Sequence, residues 1–385
     1  MIRVFLIAGE ASGDKLGAAL MAGLKSLVDV EFHGIGGPLM TAEGLRSRFP
    51  MDELSVMGIA EVLPKYRHLK RRIAQTAQAV LDLQPDVLIT IDSPDFCLRV
   101  ARLVKDRSDI RTVHYVAPTV WAWRAGRAQK MARVIDQVLA LFPFEPPYMQ
   151  AAGMACDFVG HPVVAEPVAT AQQAAEFRTA HGLDARPLLM VLPGSRRGEV
   201  SRLTPIFGQV VQRLHAQRAD LQLVIPTTAN VTDLVRDQVA GWPITPVILS
   251  PKGQDKEAYL ARKAACFAAA DAALAASGTV SLELAAANTP MVIAYDMNWL
   301  SRQIIGRMLK VDTVTLVNLV SETRTIPEFI GADCKPERIA PAVLSLLQGD
   351  AGQAEAMRLT MERLGQGGEA PGLRAARAVL QGLQA

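Results

Sequence analysis

The sequence predicts an α/β protein of two domains, each a parallel sheet covered by helices, the two facing each other across a cleft. Three observations predict it. Short β-branched runs alternate with longer helical patterns; the alternation pauses once, at the proline-marked passage FVGHPVVAEPVATAQ, and restarts; and 385 residues exceed the roughly 250–300 at which one hydrophobic core stops growing. The boundary falls near residue 165, giving an N-terminal domain over residues 1–164 and a C-terminal domain over residues 165–344. From about residue 335 the pattern is wholly helical, and residues 345–385 read as a tail that packs on the N-terminal domain or on that of a partner in a homodimer.

Composition narrows the class. Half of the residues are hydrophobic and the net charge is only +3, so the chain reads as an ordinary globular protein with no nucleic-acid partner. Cys97, Cys156, Cys266 and Cys334 are scattered, without CxxC or Cys/His spacing, so no metal is assigned and a reducing compartment is expected. The start, MIRVFLIAGEASGD, lacks the apolar length of a signal peptide and reads as a first strand. A spanning helix is not expected, because no window of about eighteen residues is free of charges and breakers.

In the first half, RVFLIAG is a strand and residues 15–27 a helix. Between them AGEASGDKLG has glycines 9, 13 and 17 but matches neither GxGxxG nor a Walker loop, which argues against a nicotinamide or ATP site. Its small residues suggest a loop facing the cleft, with Glu10, Ser12, Gly13 and Asp14 available to substrate hydroxyls. VLPKYRHLKRRIAQTAQAV is a helix whose Tyr66, Leu69, Ile73 and Val80 share an apolar face. Lys65, Arg67, Lys70, Arg71 and Arg72 cluster at its start beside Val62 and Leu63, either a solvated face or what an anionic membrane attracts. PDVLITID is a strand and residues 94–107 a helix: Ser93 can cap it, Pro94 suits its first position and Asp95 lies in its first turn. An acid in that turn suits the helix dipole, so Asp95 serves either as proton acceptor or as plain dipole compensation. After the strand RTVHYVAP come Trp121, Trp123 and Arg124, where aromatic faces can stack on a sugar or line an acyl groove, with core packing expected for at least one tryptophan. QVLALFPF is a further strand.

In the second half the strands are PLLMVLPGSR, LQLVIPT, DAALAAS and PMVIAY. Two end in small-residue corners that lead into helices. Gly194, Ser195 and Arg196 follow the first, and a guanidinium there can grip phosphate oxygens bidentately or simply face solvent. Ser277, Gly278 and Thr279 follow the third, and their main-chain N–H groups suit a bound anion. Glu283, one turn on, can accept from ribose hydroxyls, or it is an acid favoured in a first turn. Ligands of doubly wound sheets gather at the carboxyl ends of strands, where all of these corners lie.

Together these stretches resemble one family, bacterial lipid-A-disaccharide synthase, in AGEASGD, GIGGPLM, DELSVMGIAEVLP, IDSPDF, HYVAPTVWAWR, LFPFE, FVGHP, LPGSR, SGTVSLE and PMVIAY, through nearly the whole chain. The resemblance implies the GT-B architecture of two Rossmann-like domains. It also implies an inverting transfer from UDP-2,3-diacylglucosamine to 2,3-diacylglucosamine 1-phosphate (lipid X), giving a β-1,6 disaccharide and UDP. It further implies that Asp95 is the general base on the acceptor 6-hydroxyl, that Arg196 and residues 277–279 hold the diphosphate, that Glu283 meets the ribose and that Asn318 lies at the edge of the site. No cofactor is expected, since helix N-termini and Arg supply the positive field. The implied setting is cytoplasmic, peripheral on the inner face of the inner membrane, with acylated glucosamine substrates. VTLVNLVSETRTIPEFI departs from the family pattern at Val317 and at Ser-Glu-Thr-Arg while keeping Asn318. Rival readings are another nucleotide-sugar enzyme, such as a UDP-N-acetylglucosamine 2-epimerase, and a two-lobed binding protein.

Overall fold

The computed structural model describes residues 1–54, 59–121, 126–297, 311–349 and 352–384, with the backbone alone over residues 59–65. These form two compact units, Met1–Ala165 with Leu364–Ala385, and Glu166–Arg363.

The first unit is a parallel sheet of β1 (Ile2–Ala8), β2 (Val30–Ile35), β3 (Arg46–Ser47), β4 (Val87–Ile91), β5 (Arg111–Tyr115), β6 (Gln137–Ala140) and β7 (Ala155–Phe158), in the order β3-β2-β1-β4-β5-β6-β7. Val4 to Ala8 of β1 and Val87 to Ile91 of β4 are fully buried, the continuous apolar run expected where helices cover both faces of a sheet. Thr90 is the polar exception in β4. Its hydroxyl pairs with His114 Nδ1 at 2.7 Å, and burial lowers the imidazole pKa to about 4, so this core histidine is neutral.

The second unit is a parallel sheet of β8 (Leu188–Leu192), β9 (Gln222–Pro226), β10 (Val247–Leu249), β11 (Ala272–Ala275), β12 (Met291–Tyr295) and β13 (Glu328–Ile330), in the order β10-β9-β8-β11-β12-β13. Its core joins Leu189 and Val191 of β8 to Val200, Leu203, Phe207 and Val211 of the helix Arg197–His215, all fully buried. In each sheet the chain runs outward from a central strand, then returns to that strand's other side and continues the opposite way. The reversal lies between β1 and β4 in one unit and between β8 and β11 in the other, the place where loops of doubly wound sheets generally diverge.

The tail differs from expectation. Residues 345–363 belong to the second unit, because buried Met357, Thr360 and Met361 pack the helix Ala354–Arg363 there, with Thr360 and Arg363 donating to the carbonyls of Val317 and Val320 at 3.2 and 2.7 Å. Only from Leu364 does the chain rejoin the first unit, where the Leu364 carbonyl accepts from His161 N at 3.2 Å. The helix Pro371–Gln384 then crosses Ala11–Leu27 on small residues: a Cβ on Gly372 would lie 2.5 Å from the Ala19 carbonyl oxygen. Arg374 donates to the Phe158 carbonyl at 2.8 Å, and Gln137 to the Ala378 carbonyl at 3.0 Å.

That backbone-to-backbone approach leaves no flexible atom to yield. Gly372→Val is expected to lower the urea midpoint of unfolding by an amount equivalent to about 1–3 kcal/mol, and an unchanged midpoint would show that the crossing is loose.

Candidate active site

Two corners follow the strands at the second unit's reversal of strand order. β8 and β11 are paired, and Ala276 N donates to Leu192 O at 2.8 Å, so the segments that follow leave the sheet side by side. After β8, Ser195 and Arg196 are exposed at the start of the helix Arg197–His215. Asn230 Nδ2 donates to Ser195 O at 3.0 Å and braces the turn from the β9 end. Glu199 occupies the mouth of this corner: its Oε2 accepts from Ser195 N and Arg196 N at 3.3 Å each, and its Oε1 from the Arg196 guanidinium at 3.4 Å. Gly194 makes room, since a Cβ there would lie 2.7 Å from the Glu199 carboxylate. The corner therefore already holds a carboxylate, through bonds at the long and weak end of the range. After β11, Gly278 and Thr279 are exposed and Ser277 half-buried, and neither hydroxyl caps the helix Val280–Ala286. Small residues, main-chain N–H groups at a helix start and a guanidinium are the parts from which an anion seat can be built.

Glu283 is half-buried, and its Oε2 accepts from Lys263 Nζ of the helix Lys256–Ala269. Asn318 is corrected from a site-edge contact to an internal brace. It is 1 % exposed, its Oδ1 accepts from Ile326 N at 3.0 Å, and its Nδ2 donates to Ile326 O at 2.9 Å and Thr313 Oγ1 at 3.3 Å. Both amide hydrogens are taken and the oxygen is buried with its Ile326 donor, so the side chain offers a ligand no donor. Nearby Glu328 gathers both Thr313 and Thr315 hydroxyls, at 2.8 and 2.7 Å.

In the first unit, Asp95 stands exposed in the first turn of the helix Pro94–Lys105, with no side-chain hydrogen bond or ion pair among the described residues. Ser93 holds the N-cap position without a side-chain cap bond, contrary to expectation, because its backbone is left-handed. Asp92 and Ser93 have φ of 50° and 44°, and Val116, at the end of neighbouring β5, has 86°. Such conformations cost on the order of 1–3 kcal/mol each and collect where function requires a fixed loop.

The Gly-rich stretch after β1 needs correcting. The helix begins at Ala11, so Ser12, Gly13 and Asp14 form its first turn rather than a loop. Ser12 is exposed and Glu10 half-buried, but Gly13 is buried against Ala8 and Ile91. Asp14, 2 % exposed, accepts from the main-chain N–H groups of Gly37, Leu39 and Met40 at 2.8–3.0 Å. It anchors the helix Pro38–Ala42 and is not open to substrate hydroxyls. Arg72 is corrected likewise: it forms a bidentate pair with Glu53 at 2.7 and 2.8 Å and lies over the Phe49 ring, so it pins its helix instead of facing a membrane. That pairing holds the Glu53 carboxyl below its usual range. On the same helix Tyr66, Arg67, Lys70 and Arg71 are exposed and Leu69 half-buried, while Ile73 and Val80 are buried. The side chains of Val62, Leu63 and Lys65 lie outside the described residues, as do Trp123 and Arg124. Trp121 is buried, edge-on to Phe144 at 5.1 Å.

Sequence reasoning passed over Glu199, Lys263 and Glu145. The Arg196-x-x-Glu199 spacing of a helix start was a usable signal for the first; the other two depend on distant partners or burial. Glu145, 2 % exposed, accepts from Leu141 N and Phe142 N at 3.1 and 3.0 Å at the end of β6. Its surroundings are aromatic: Phe142 stacks on Phe144 at 5.3 Å and faces His161 at 5.4 Å. Burial raises the Glu145 pKa to about 8.

Two parallel α/β units with strand-order reversals of this kind are the fold of the GT-B class of nucleotide-sugar enzymes. The chain aligns in full with a UDP-GlcNAc 2-epimerase from Neisseria meningitidis solved with UDP-GlcNAc, at TM-score 0.63 and 12 % identity over 100 % of both chains. A Methanocaldococcus jannaschii UDP-GlcNAc 2-epimerase solved with UDP-GlcNAc and UDP gives 0.61 and 13 %, again over 100 % of both. At such identities the likeness is one of fold alone. Sequence is more specific: the family model for lipid-A-disaccharide synthetase matches residues 4–376. The lipid-A-disaccharide synthase of Ruegeria pomeroyi is 65 % identical over 100 % of this chain and 96 % of its own length, and that of Rhodospirillum centenum 47 % identical over 98 % and 94 %. The chain belongs to the lipid-A-disaccharide synthetase family, and is a glycosyltransferase.

Glu145 yields a pH prediction. Its folded-state pKa, about 8, exceeds the unfolded value near 4.5, so the folded state holds the extra proton between them. The stabilisation is complete below about pH 4.5 and is lost as pH rises through about 8, falling by about 1.4 kcal/mol for each pH unit crossed between the two values. Urea unfolding of wild type and Glu145→Gln at pH 5, 7 and 9 is expected to show the variant gaining on wild type as pH rises, by a few kcal/mol in all; parallel pH profiles would contradict it.

Proposed function

We propose that the chain joins UDP-2,3-diacylglucosamine to 2,3-diacylglucosamine 1-phosphate with inversion at the anomeric carbon, giving a β-1,6-linked disaccharide 1-phosphate and UDP. The observation that carries this reading is the position of the corners: each sheet reverses its strand order where a chemistry-bearing segment begins, Asp95 after β4 and the residue 194–196 and 277–279 corners after β8 and β11. Family membership supports the substrate pair.

In this scheme Asp95 takes the proton from the acceptor 6-hydroxyl as that oxygen attacks the donor's anomeric carbon from the face opposite the diphosphate. The bond from that carbon to the phosphate oxygen breaks, and its electron pair leaves with UDP. Arg196 and the N–H groups of residues 277–279 stabilise the charge that gathers on the departing diphosphate, and Glu283 accepts from the ribose hydroxyls. The positive field needed is supplied by these groups, so the scheme calls for no metal.

The acyl chains of both substrates imply work at a lipid surface. Among the described residues no helix is long and apolar enough to cross a membrane. Exposed Tyr66, Arg67, Lys70 and Arg71 on the helix Ile59–Leu83 support peripheral attachment to an anionic bilayer, on the inner face of the inner membrane.

Two measurements test the proposal. Asp95→Asn is expected to cut UDP release from the two acylated sugars by about 10²–10⁴-fold while UDP binding is retained; full turnover would remove Asp95 from the mechanism. Charge reversal of Arg67, Lys70 and Arg71 together is expected to weaken binding to phosphatidylglycerol vesicles at least about tenfold, each cation near the surface contributing about 1 kcal/mol. Unchanged binding would place the lipid contact elsewhere.

A further inference from the structure

The carboxylate assigned to the ribose is not free to choose its own orientation. Lys263 Nζ donates to Glu283 Oε2, and Glu283 Oε1 has no hydrogen bond among the described residues. The lysine comes from a helix tied down along its length. Asp255 caps it, accepting from Ala258 N at 2.9 Å; Tyr259 Oη donates to Thr227 O at 2.6 Å; and Thr289 Oγ1 donates to Phe267 O at 2.7 Å, fixing it to the segment that follows the Glu283 helix. Lys263 Nζ also lies 5.2 Å from the Phe267 ring centroid. Lys263 and Glu283 are 28 % and 31 % exposed, too sheltered to behave as a freely hydrated surface pair and open enough for one carboxylate oxygen to meet a ligand.

We propose that Lys263 is a positioning residue for donor recognition. By engaging Oε2 it fixes the glutamate rotamer and leaves Oε1 as the acceptor for the vicinal hydroxyls of a ribose. A glutamate that must otherwise be ordered on binding loses rotamer freedom at that moment, and a prior ion pair has already met this cost. The selectivity follows from chemistry: a fixed carboxylate favours a ribonucleoside diphosphate over its 2′-deoxy counterpart, because the deoxy sugar leaves the acceptor unmet. This inference rests on the reading of Glu283 as the ribose contact.

The test is calorimetric binding of UDP and 2′-deoxy-UDP to wild type, Lys263→Met, Lys263→Arg and Glu283→Gln, with donor KM and kcat measured alongside. Wild type is expected to prefer UDP about tenfold or more, the scale of one hydrogen bond to a charged group. Lys263→Met is expected to bring the two ligands to within about threefold by weakening UDP alone, to raise donor KM about tenfold and to move kcat much less; Lys263→Arg restores most of the preference. A wild-type preference ratio in Lys263→Met, even with a lowered thermal midpoint, overturns the inference and leaves a purely structural ion pair. Should Lys263→Met not fold, Lys263→Gln, which keeps a neutral donor, is expected to fall between wild type and that loss, and a wild-type ratio there overturns the inference equally. Glu283→Gln separates the two levels. If it abolishes the preference while the Lys263 variants keep it, only the role of Lys263 fails; if it keeps the preference, or if wild type shows none, the ribose reading of Glu283 fails as well.

Discussion

A parallel strand can be followed by another only through a crossover, and a crossover leaves the sheet at the strand's carboxyl end. When successive crossovers run in opposite directions from a central strand, the connections part and the main-chain groups at their tips have no neighbouring loop to cover them. Both units are built on this constraint, at β1/β4 and at β8/β11. The apolar interiors of those strands are sealed in the sheets, and residues a few positions beyond their ends are open to solvent. The division of labour is sharp: Val87 to Ile91 are fully buried, and four residues later Asp95 is exposed.

The residues at these ends bear costs that the sheets absorb. Asp92, Ser93 and Val116 adopt left-handed backbone, and Val116 does so with a branched side chain. Glu145 is buried where its charged form is disfavoured, its carboxyl group tied to two main-chain N–H groups. In the second unit, by contrast, Glu199 accepts from the N–H groups of Ser195 and Arg196 as a capping carboxylate at a helix start. The left-handed residues and the buried Glu145 depart from what local stability alone would select, and they lie just past the carboxyl ends of β4, β5 and β6.

Much of this was legible. Apolar runs that stop abruptly at Ser-Gly-Thr or Pro-Gly-Ser have a local signature, and so does Pro94 followed by Asp95, because strand burial and helix starts are decided by adjacent residues. What escaped was whatever depends on a partner far along the chain. Asp14 looked like a cleft acid because the N–H groups it serves are 23 to 26 residues away. Asn318 looked like a ligand contact until Ile326 was seen to use its amide, and Arg72 looked like a membrane cation until Glu53 claimed it. Lys263 carries no sequence signal of its pairing with Glu283. The short strands β2, β3, β7, β10 and β13 also went unread, since two to six residues, partly exposed, show no distinct period.

The crossing of Pro371–Gln384 over Ala11–Leu27 bears on how the molecule is made. The second unit is inserted within the first, and the first is closed only by residues 364–385: Gln137 reaches the carbonyl of Ala378, 241 positions onward. On the ribosome the inserted unit has all of its strands and helices before the outer one receives its final helix. The half that begins first is therefore completed after the inserted one, and until Pro371–Gln384 has emerged it exposes the small-residue groove of Ala11–Leu27 as nascent surface.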